Sequence, residues 1–299
     1  MVPTYRRPDL LRRCLDALAA QDLPAECFEV AVVDDGSGDE TPEVLTAAAE
    51  RMINLRWASQ PRNAGPAAAR NRAVGLGSAP LLLFIDDDIV VPASLVRTHL
   101  QLNSDQGDKQ GVVGRVEWHP DLPVTPFMAW LDETDLQFAF HRMDPGPVPS
   151  PEQAFYTCNL SLHRRLFETA GGFDERFPYP AYEDVELGWR LGRLGFELHY
   201  RPEALAWHAR QVTLPTFCAR TAMVMESAVL LRRTHPEVPV AIAPPSQGVK
   251  RQLLRAALRP LSALRPTIAG RDVRSRYYWT EIEHARVIGL RRAGFMRRR

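Results

Sequence analysis

Three consecutive aspartates, Asp86, Asp87 and Asp88, directly follow the apolar run Leu81-Leu82-Leu83-Phe84-Ile85. A short continuous apolar run of this kind predicts a strand buried on both faces, as in a parallel sheet. Carboxylates crowded at its carboxyl end repel one another and lose hydration, so a cation has to be shared between them. Strand carboxyl ends are also where open α/β sheets bind ligands. Val91-Pro92-Ala93-Ser94 reads as a helix start, and one acid there would be an ordinary cap. A cap accounts for one aspartate, whereas the triplet predicts a divalent-cation site.

At 299 residues, with 45% hydrophobic and 24% charged residues, the chain has the size and composition of a globular α/β domain with room for a helical appendage. The formal charge of +1 conceals an asymmetry, because residues 245–299 hold 14 Lys+Arg against 3 Asp+Glu. The remainder is acidic, which argues against nucleic acid as a partner, since phosphate-backbone affinity needs clustered cations. Cys14, Cys27, Cys158 and Cys218 are widely separated, as in buried thiols of a reducing compartment. No apolar stretch approaches the ~18 residues of a membrane span, and no leader precedes the first motif. The expected location is the cytoplasm. Met1-Val2-Pro3-Thr4 reads as the exit of a first strand that is either short or lacks its earlier residues.

Leu10, Leu11, Cys14, Leu15 and Leu18 mark an amphipathic helix over 9–20 opened by Pro8. Strands are expected over 28–33, 53–57 and 81–85, and helices over 41–52 and 64–76. This alternation predicts a doubly wound parallel sheet. Further on, strands are expected over 111–118, 155–160, 196–200 and 204–207, and helices over 127–140, 163–170, 182–194 and 216–234. Beyond a linker at Pro244-Pro245-Ser246, basic amphipathic segments are expected over 252–264 and 274–290.

Asp34-Asp35-Gly36-Ser37 repeats the acidic strand end. It can hydrogen-bond a nucleotide, or close an Asx turn and cap the following helix. Arg62-Asn63-Ala64-Gly65 opens a helix with a glycine where a bulkier residue would obstruct a ligand, and Arg70 on that helix can reach an anion or remain solvated. Neither GxGxxG nor GxxxxGK[ST] is present, which disfavours a Rossmann dinucleotide site or a P-loop. Glu183-Asp184 reads as two acids in a first helical turn, and Glu186 and Arg190 have ion-pair spacing.

Taken in order, Val2-Pro3-Thr4-Tyr5-Arg6-Arg7, Asp34-Asp35-Gly36-Ser37, Arg62-Asn63 with Gly65 to Asn71, and Phe84-Ile85-Asp86-Asp87-Asp88 resemble the inverting family 2 glycosyltransferases of GT-A fold. Asn159-Leu160-Ser161, Gly171-Gly172-Phe173-Asp174-Glu175 and Glu183 to Arg190 are similar to that family's acceptor half. The resemblance implies a GT-A domain over 1–235, with a nucleotide-sugar half to about 118 and an acceptor half beyond it, followed by a basic helical extension over 236–299. It implies transfer of a sugar from a nucleotide diphosphate sugar, most commonly a UDP-sugar, to an acceptor hydroxyl, helped by Mg²⁺ or Mn²⁺. Acceptors in such a family range over polysaccharides, lipid-linked glycans, proteins and small molecules.

By the same resemblance Asp88 and His208 hold the metal, and Asp86 reaches ribose or sugar hydroxyls, with Asp87 either facing inward or orienting its neighbours. Pro3, Thr4, Tyr5, Arg7, Asp34, Asp35, Arg62, Asn63, Gly65 and Arg70 form the donor site. Asp184 is the implied base, with Glu183 as its neighbour contacting acceptor, and Asn159, Tyr182 and Trp189 contact acceptor as well. A lone histidine after a strand is equally a structural hydrogen-bonder, and the aromatic residues are equally core. Rival readings are a sugar-phosphate nucleotidyltransferase and a non-catalytic carbohydrate-binding or scaffold protein. The basic tail fits peripheral contact with an anionic membrane through residues 245–299, or a helical cap on the acidic body.

Overall fold

A computed structural model describes residues 1–104, 107–238, 242 and 271–296. The linker at 244–246 and the segment expected helical over 252–264 lie outside the described residues.

Proline and apolar patterning set the first elements. Pro8 opens α1 (Pro8–Ala19), whose buried face is Leu11, Cys14, Leu15 and Leu18. Pro42 lies in the first turn of α2 (Thr41–Arg51), and Pro66 opens α3 (Pro66–Val74). Pro tolerates these positions because its missing N–H has no intrahelical acceptor there. Between them run β1 (Val2–Thr4), β2 (Val30–Asp34) and β3 (Leu55–Ser59), a parallel three-stranded sheet in the order β1-β2-β3. β2 is buried along its whole length. The small residues Ala67, Ala69 and Ala73 of α3 are fully buried.

The second sheet is mixed. It holds β4 (Leu81–Ile85), β5 (Ile89–Val90), β6 (Gln110–Trp118), β7 (Gly146–Pro147), β8 (Asn159–His163) and β9 (Glu197–His208). Its order is β4-β8-β6-β9-β5, with β7 also on β9. Among the described residues of this sheet, only β6 and β9 pair in parallel. The apolar run 81–85 therefore forms the expected strand with an antiparallel ladder partner, β8. Burial on both faces makes a strand apolar throughout but does not set the direction of its neighbour. On its other side β4 meets the first sheet, where Ile85 N donates to Met1 O at 3.1 Å. The two acidic strand ends are thereby fixed in one scaffold.

Several boundaries differ from the sequence expectation. The two strands expected over 196–200 and 204–207 are one, β9, whose pairing with β6 shifts register between Gly114 and Val116. Gly114 accommodates the shift, since a Cβ there would lie 2.1 Å from Ala204 O. The helix expected to reach Phe140 is α5 (Pro126–Glu133), which stops before Asp135 at φ 53°. β8 begins at Asn159, not at Phe155.

The remaining helices are α4 (Leu95–Ser104), α6 (Arg164–Thr169), α7 (Glu183–Arg193), α8 (Leu214–Thr234) and α9 (Arg271–Arg292). Residues 1–123 with 139–210 form one compact unit, and residues 124–138 with 211–299 form a second. Within the second unit, Gly289 of α9 packs so closely on α8 that a Cβ would stand 2.1 Å from Ala222 O. Phe127, Trp130, Phe217 and Tyr278 make a ring cluster there, with centroid separations of 5.0 to 5.9 Å. α8, expected over 216–234, has 21 residues and is long and apolar enough to cross a membrane, where the sequence reading expected no apolar stretch of that kind. Its residues Ala222, Met225, Ala228, Val229 and Leu231 are buried within the protein.

Candidate active site

The end of β4 is held by cations. Asp86 Oδ1 accepts from Arg70 Nη2 at 2.8 Å, and a third of the Asp86 side chain is exposed. Asp87 accepts from Arg7 Nη1 at 2.9 Å and from Thr4 Oγ1 at 2.8 Å. Burial pushes the Asp87 carboxyl up to about 6, against the pull of Arg7 and with the push of Asp88. Asp88 Oδ2 lies 3.1 Å from Arg7 Nη1, 3.7 Å from Arg210 Nη1 and 3.7 Å from His208 Nε2.

His208 is brought to Asp88 by the β5–β9 ladder, in which Ile89 pairs with His208 and Ala209 N donates to Asp88 O at 2.8 Å. Burial lowers the His208 pKa, so the ring is neutral near pH 7. Its Nδ1 lies 3.1 Å from Arg210 O. A carbonyl only accepts, so the proton sits on Nδ1 and the Nε2 lone pair faces the Asp88 carboxylate. Two lone-pair donors 3.7 Å apart cannot bond to each other, but they can share a divalent cation. A metal-binding imidazole commonly has its other N–H tied to a backbone carbonyl in this way. Asp88 and His208 thus fit Mg²⁺ or Mn²⁺ as two ligands of a larger set. Among the described residues no group of three or more His, Cys, Asp or Glu is placed to hold a metal unaided.

The end of β2 is held by neutral donors. Asp34 accepts from Ser37 N and Oγ at 3.0 and 2.5 Å, and from Ser59 Oγ at 3.0 Å. Asp34 thus ties down the loop three residues on, and the Asx turn the sequence allowed is made by Asp39 to Thr41 N at 3.0 Å. Asp35 accepts from Gln60 Nε2 and Ala64 N at 2.8 Å and from Gly65 N at 2.9 Å, which fixes the loop carrying Arg62 and Asn63. Burial raises its pKa against those bonds. Arg62 and Asn63 are exposed. Gly65 has φ +95° and lies under the chain at 177–178, where a Cβ would stand 2.9 Å from Pro178 O. Pro3 faces Val33 in the ladder, Thr4 O accepts from Asp35 N at 2.9 Å, and Tyr5 is exposed with Arg6 over its ring.

On the opposite side, Glu183 opens α7 with only 2% exposure. Its Oε1 accepts from Arg70 Nη1 at 2.8 Å and its Oε2 from Ala181 N at 2.6 Å. Both oxygens are engaged inside the protein, so Glu183 does not present a carboxylate to acceptor as expected. Asp184, half-buried, is the acid of the pair with access to solvent; its Oδ1 accepts from Val185 N at 2.8 Å. Tyr182 and Trp189 are half-buried, and Arg193 lies 5.1 Å above the Trp189 ring. Phe173 and Phe177 are core.

Asn159 is a correction. It is 0% exposed, its Nδ2 donates to Ala204 O at 2.7 Å and Arg115 O at 3.2 Å, and His99 Nε2 meets its Oδ1 at 2.9 Å. Burial lowers His99 to about 4, so this is a neutral interior network, and Asn159 cannot touch an acceptor. The Gly171-to-Glu175 motif is likewise a structural buckle. Asn71 bonds Phe173 at both its N–H and its C=O at 2.9 Å, and Arg190 holds Gly172 O at 2.7 Å while pairing with Glu186.

Two residues near Asp88 and His208 escaped the sequence reading. Arg210 approaches Asp88, and Trp118 sets its ring edge-on to His208 at 5.3 Å. Both are placed by the β6–β9 and β5–β9 pairings, which no local pattern encodes.

Several known proteins are similar to this chain. Validoxylamine A glucosyltransferase of Streptomyces hygroscopicus subsp. jinggangensis is 29% identical over 258 residues, covering 80% of this chain and 61% of that protein. The poly(ribitol-phosphate) beta-glucosyltransferase of Bacillus spizizenii is 32% identical over 201 residues, 58% of this chain and 31% of its own length. The chain thus spans about three-fifths or less of these curated relatives. Among solved structures, the mannosyltransferase PcManGT from Pyrobaculum calidifontis, in complex with GDP-Man and Mn²⁺, superposes with TM-score 0.62 at 17% identity, covering 98% of this chain and 86% of that one. S. aureus TarS 1–349 in complex with UDP does so with TM-score 0.54 at 16% identity, covering 98% and 90%. These likenesses show the GT-A fold. The model of the family described as Glycosyl transferase family 2 matches residues 1–168, and the chain belongs to that family.

Proposed function

We propose that this protein transfers a sugar, with inversion, from a nucleoside diphosphate sugar to an acceptor hydroxyl. The observation that carries the reading is the pairing of the Asp88 carboxylate with a neutral His208 whose free lone pair faces it at 3.7 Å. Asp88 and His208 would hold Mg²⁺ or Mn²⁺, which would supply stabilisation of the negative charge on the departing diphosphate. Arg7 and Arg210, which lie against Asp88, are placed to neutralise the same diphosphate. Asp86 accepts from ribose or sugar hydroxyls through its exposed portion. The base lies between Thr4, Tyr5 and the Asp35-anchored loop of Arg62, Asn63 and Gly65.

Asp184 takes the proton of the incoming hydroxyl in a single in-line displacement. Tyr182 and Trp189 offer apolar ring faces to the acceptor. PcManGT holding GDP-Man with Mn²⁺ and TarS holding UDP support a nucleotide-sugar donor and a divalent metal here. The glucosyltransferase relatives support a carbohydrate or polyol-phosphate acceptor in glycan or small-molecule glycoside synthesis. We place the protein in the cytoplasm, with the basic residues 245–299 serving attachment to an anionic membrane face. The test is a screen of UDP-, GDP- and TDP-sugars with Mn²⁺ or Mg²⁺, reading nucleotide release with and without acceptors. Metal-dependent release from at least one donor is expected, and release indifferent to chelator overturns the reading.

A further inference from the structure

Arg70 is shared between the two halves of the site. Its side chain, 3% exposed, donates from Nη2 to Asp86 Oδ1 and from Nη1 to Glu183 Oε1, both at 2.8 Å. Glu183 Oε2 in turn accepts from Ala181 N at 2.6 Å. Ala181 (φ 131°) and Tyr182 (φ 71°) both have positive φ, and the next acid along is Asp184. We propose that Arg70 and Glu183 are positioning residues that carry occupancy of the donor site at Asp86 into the placement of Asp184, so that the proton acceptor is set when a nucleoside diphosphate sugar is bound. The inference rests on the transferase reading above.

Five points support the relay. Asp86 is the one arm of the triad with a third of its side chain exposed, so it is the arm a ligand reaches. The guanidinium is planar and its two ends bind two different carboxylates, so a shift at one end is felt at the other. Screening is weak because Arg70 and Glu183 are out of water. The turn at 181–182 is a conformation that non-glycine residues keep only when held, and the Glu183 carboxylate is a holder. Arg70 Nε is buried without an acceptor, so this arrangement leaves the side chain a gain to be made by moving. Any such coupling is reciprocal, and donor binding has to respond to changes at Glu183.

The experiment is amide hydrogen exchange over residues 178–186, free and with Mn²⁺ plus UDP or GDP, alongside calorimetry of the same diphosphates. In the wild type, bound diphosphate is expected to slow exchange about tenfold or more. Arg70→Lys keeps the charge but loses the two-ended fork. It should still bind diphosphate within about fivefold, lose the protection, and lower kcat about tenfold or more with donor KM little changed. Glu183→Gln cuts the α7 arm alone and should lose the protection likewise; it carries the test if Arg70→Lys does not fold. Full protection in a folded variant overturns the relay, as does wild-type protein that binds diphosphate without protecting these amides. Failure of both diphosphates to bind overturns the transferase reading itself, and the relay with it.

Discussion

β2 and β4 both end in consecutive aspartates, yet the two clusters are neutralised in different ways. At β2, Asp34 and Asp35 spend their oxygens on serine hydroxyls, an amide side chain and the backbone N–H groups of Ser37, Ala64 and Gly65. At β4, Asp86, Asp87 and Asp88 face Arg70, Arg7, Arg210 and the lone pair of His208. Neutral donors fixed in the backbone cannot be exchanged without unfolding a turn. Side-chain cations can give way to a metal ion. The first cluster therefore builds a wall, and the second is the one we propose receives ligand charge.

The largest effect that sharpens this contrast is on turnover. Asp184→Asn should leave donor affinity unchanged and cost about 10²-fold or more in kcat at saturating acceptor. Wild-type turnover would move the base elsewhere. Asp88→Ala should weaken Mn²⁺-dependent binding of UDP or GDP by about 10²-fold or more, by calorimetry, because it removes a direct ligand. Unchanged affinity with unchanged metal dependence would break the contrast at its ligand-binding side.

Stability should respond in the opposite order. Asp35→Ala strands two backbone N–H groups and should cost about 2–4 kcal/mol in denaturant unfolding. Asp87→Asn in chelator-treated protein relieves a crowded buried charge and should change stability by no more than about 1 kcal/mol, or raise it. Equal losses would mean that both clusters are structural. A smaller, pH-dependent signal follows from Asp87. Its folded pKa, about 6, stands above the ordinary carboxylate value, so folding takes up a proton in that window. The contribution of Asp87 to the stability of metal-free protein is present at acid pH and is lost as pH rises through about 6. Asp87→Asn should flatten that part of the stability-versus-pH profile, and a profile unaltered by the substitution would remove the charge-crowding argument.

Much of the scaffold was legible because its signals are local. Proline at helix starts, the Leu81–Ile85 run and the alanines of α3 marked elements that the structure contains within a residue or two. The Asp triplet singled out the strand end that meets His208. What escaped was long-range. An apolar strand says nothing of its neighbour's direction, so the antiparallel β4–β8 ladder was not foreseen. A buried asparagine bonding His99 and two carbonyls is written with the same letter as one that binds a sugar, which is why Asn159 was misassigned. Likewise Glu183 looked like a partner of Asp184 until Arg70 appeared against it, from a helix far earlier in the chain.

The central claim is that the β4 end, not the β2 end, receives the metal and the diphosphate. It is tested most directly by locating Mn²⁺ through its anomalous scattering in crystals grown with UDP or GDP. The account predicts one strong peak within direct coordination distance of Asp88 and His208, with the diphosphate beside it. A peak coordinated by Asp34 or Asp35, with none at Asp88, would contradict it.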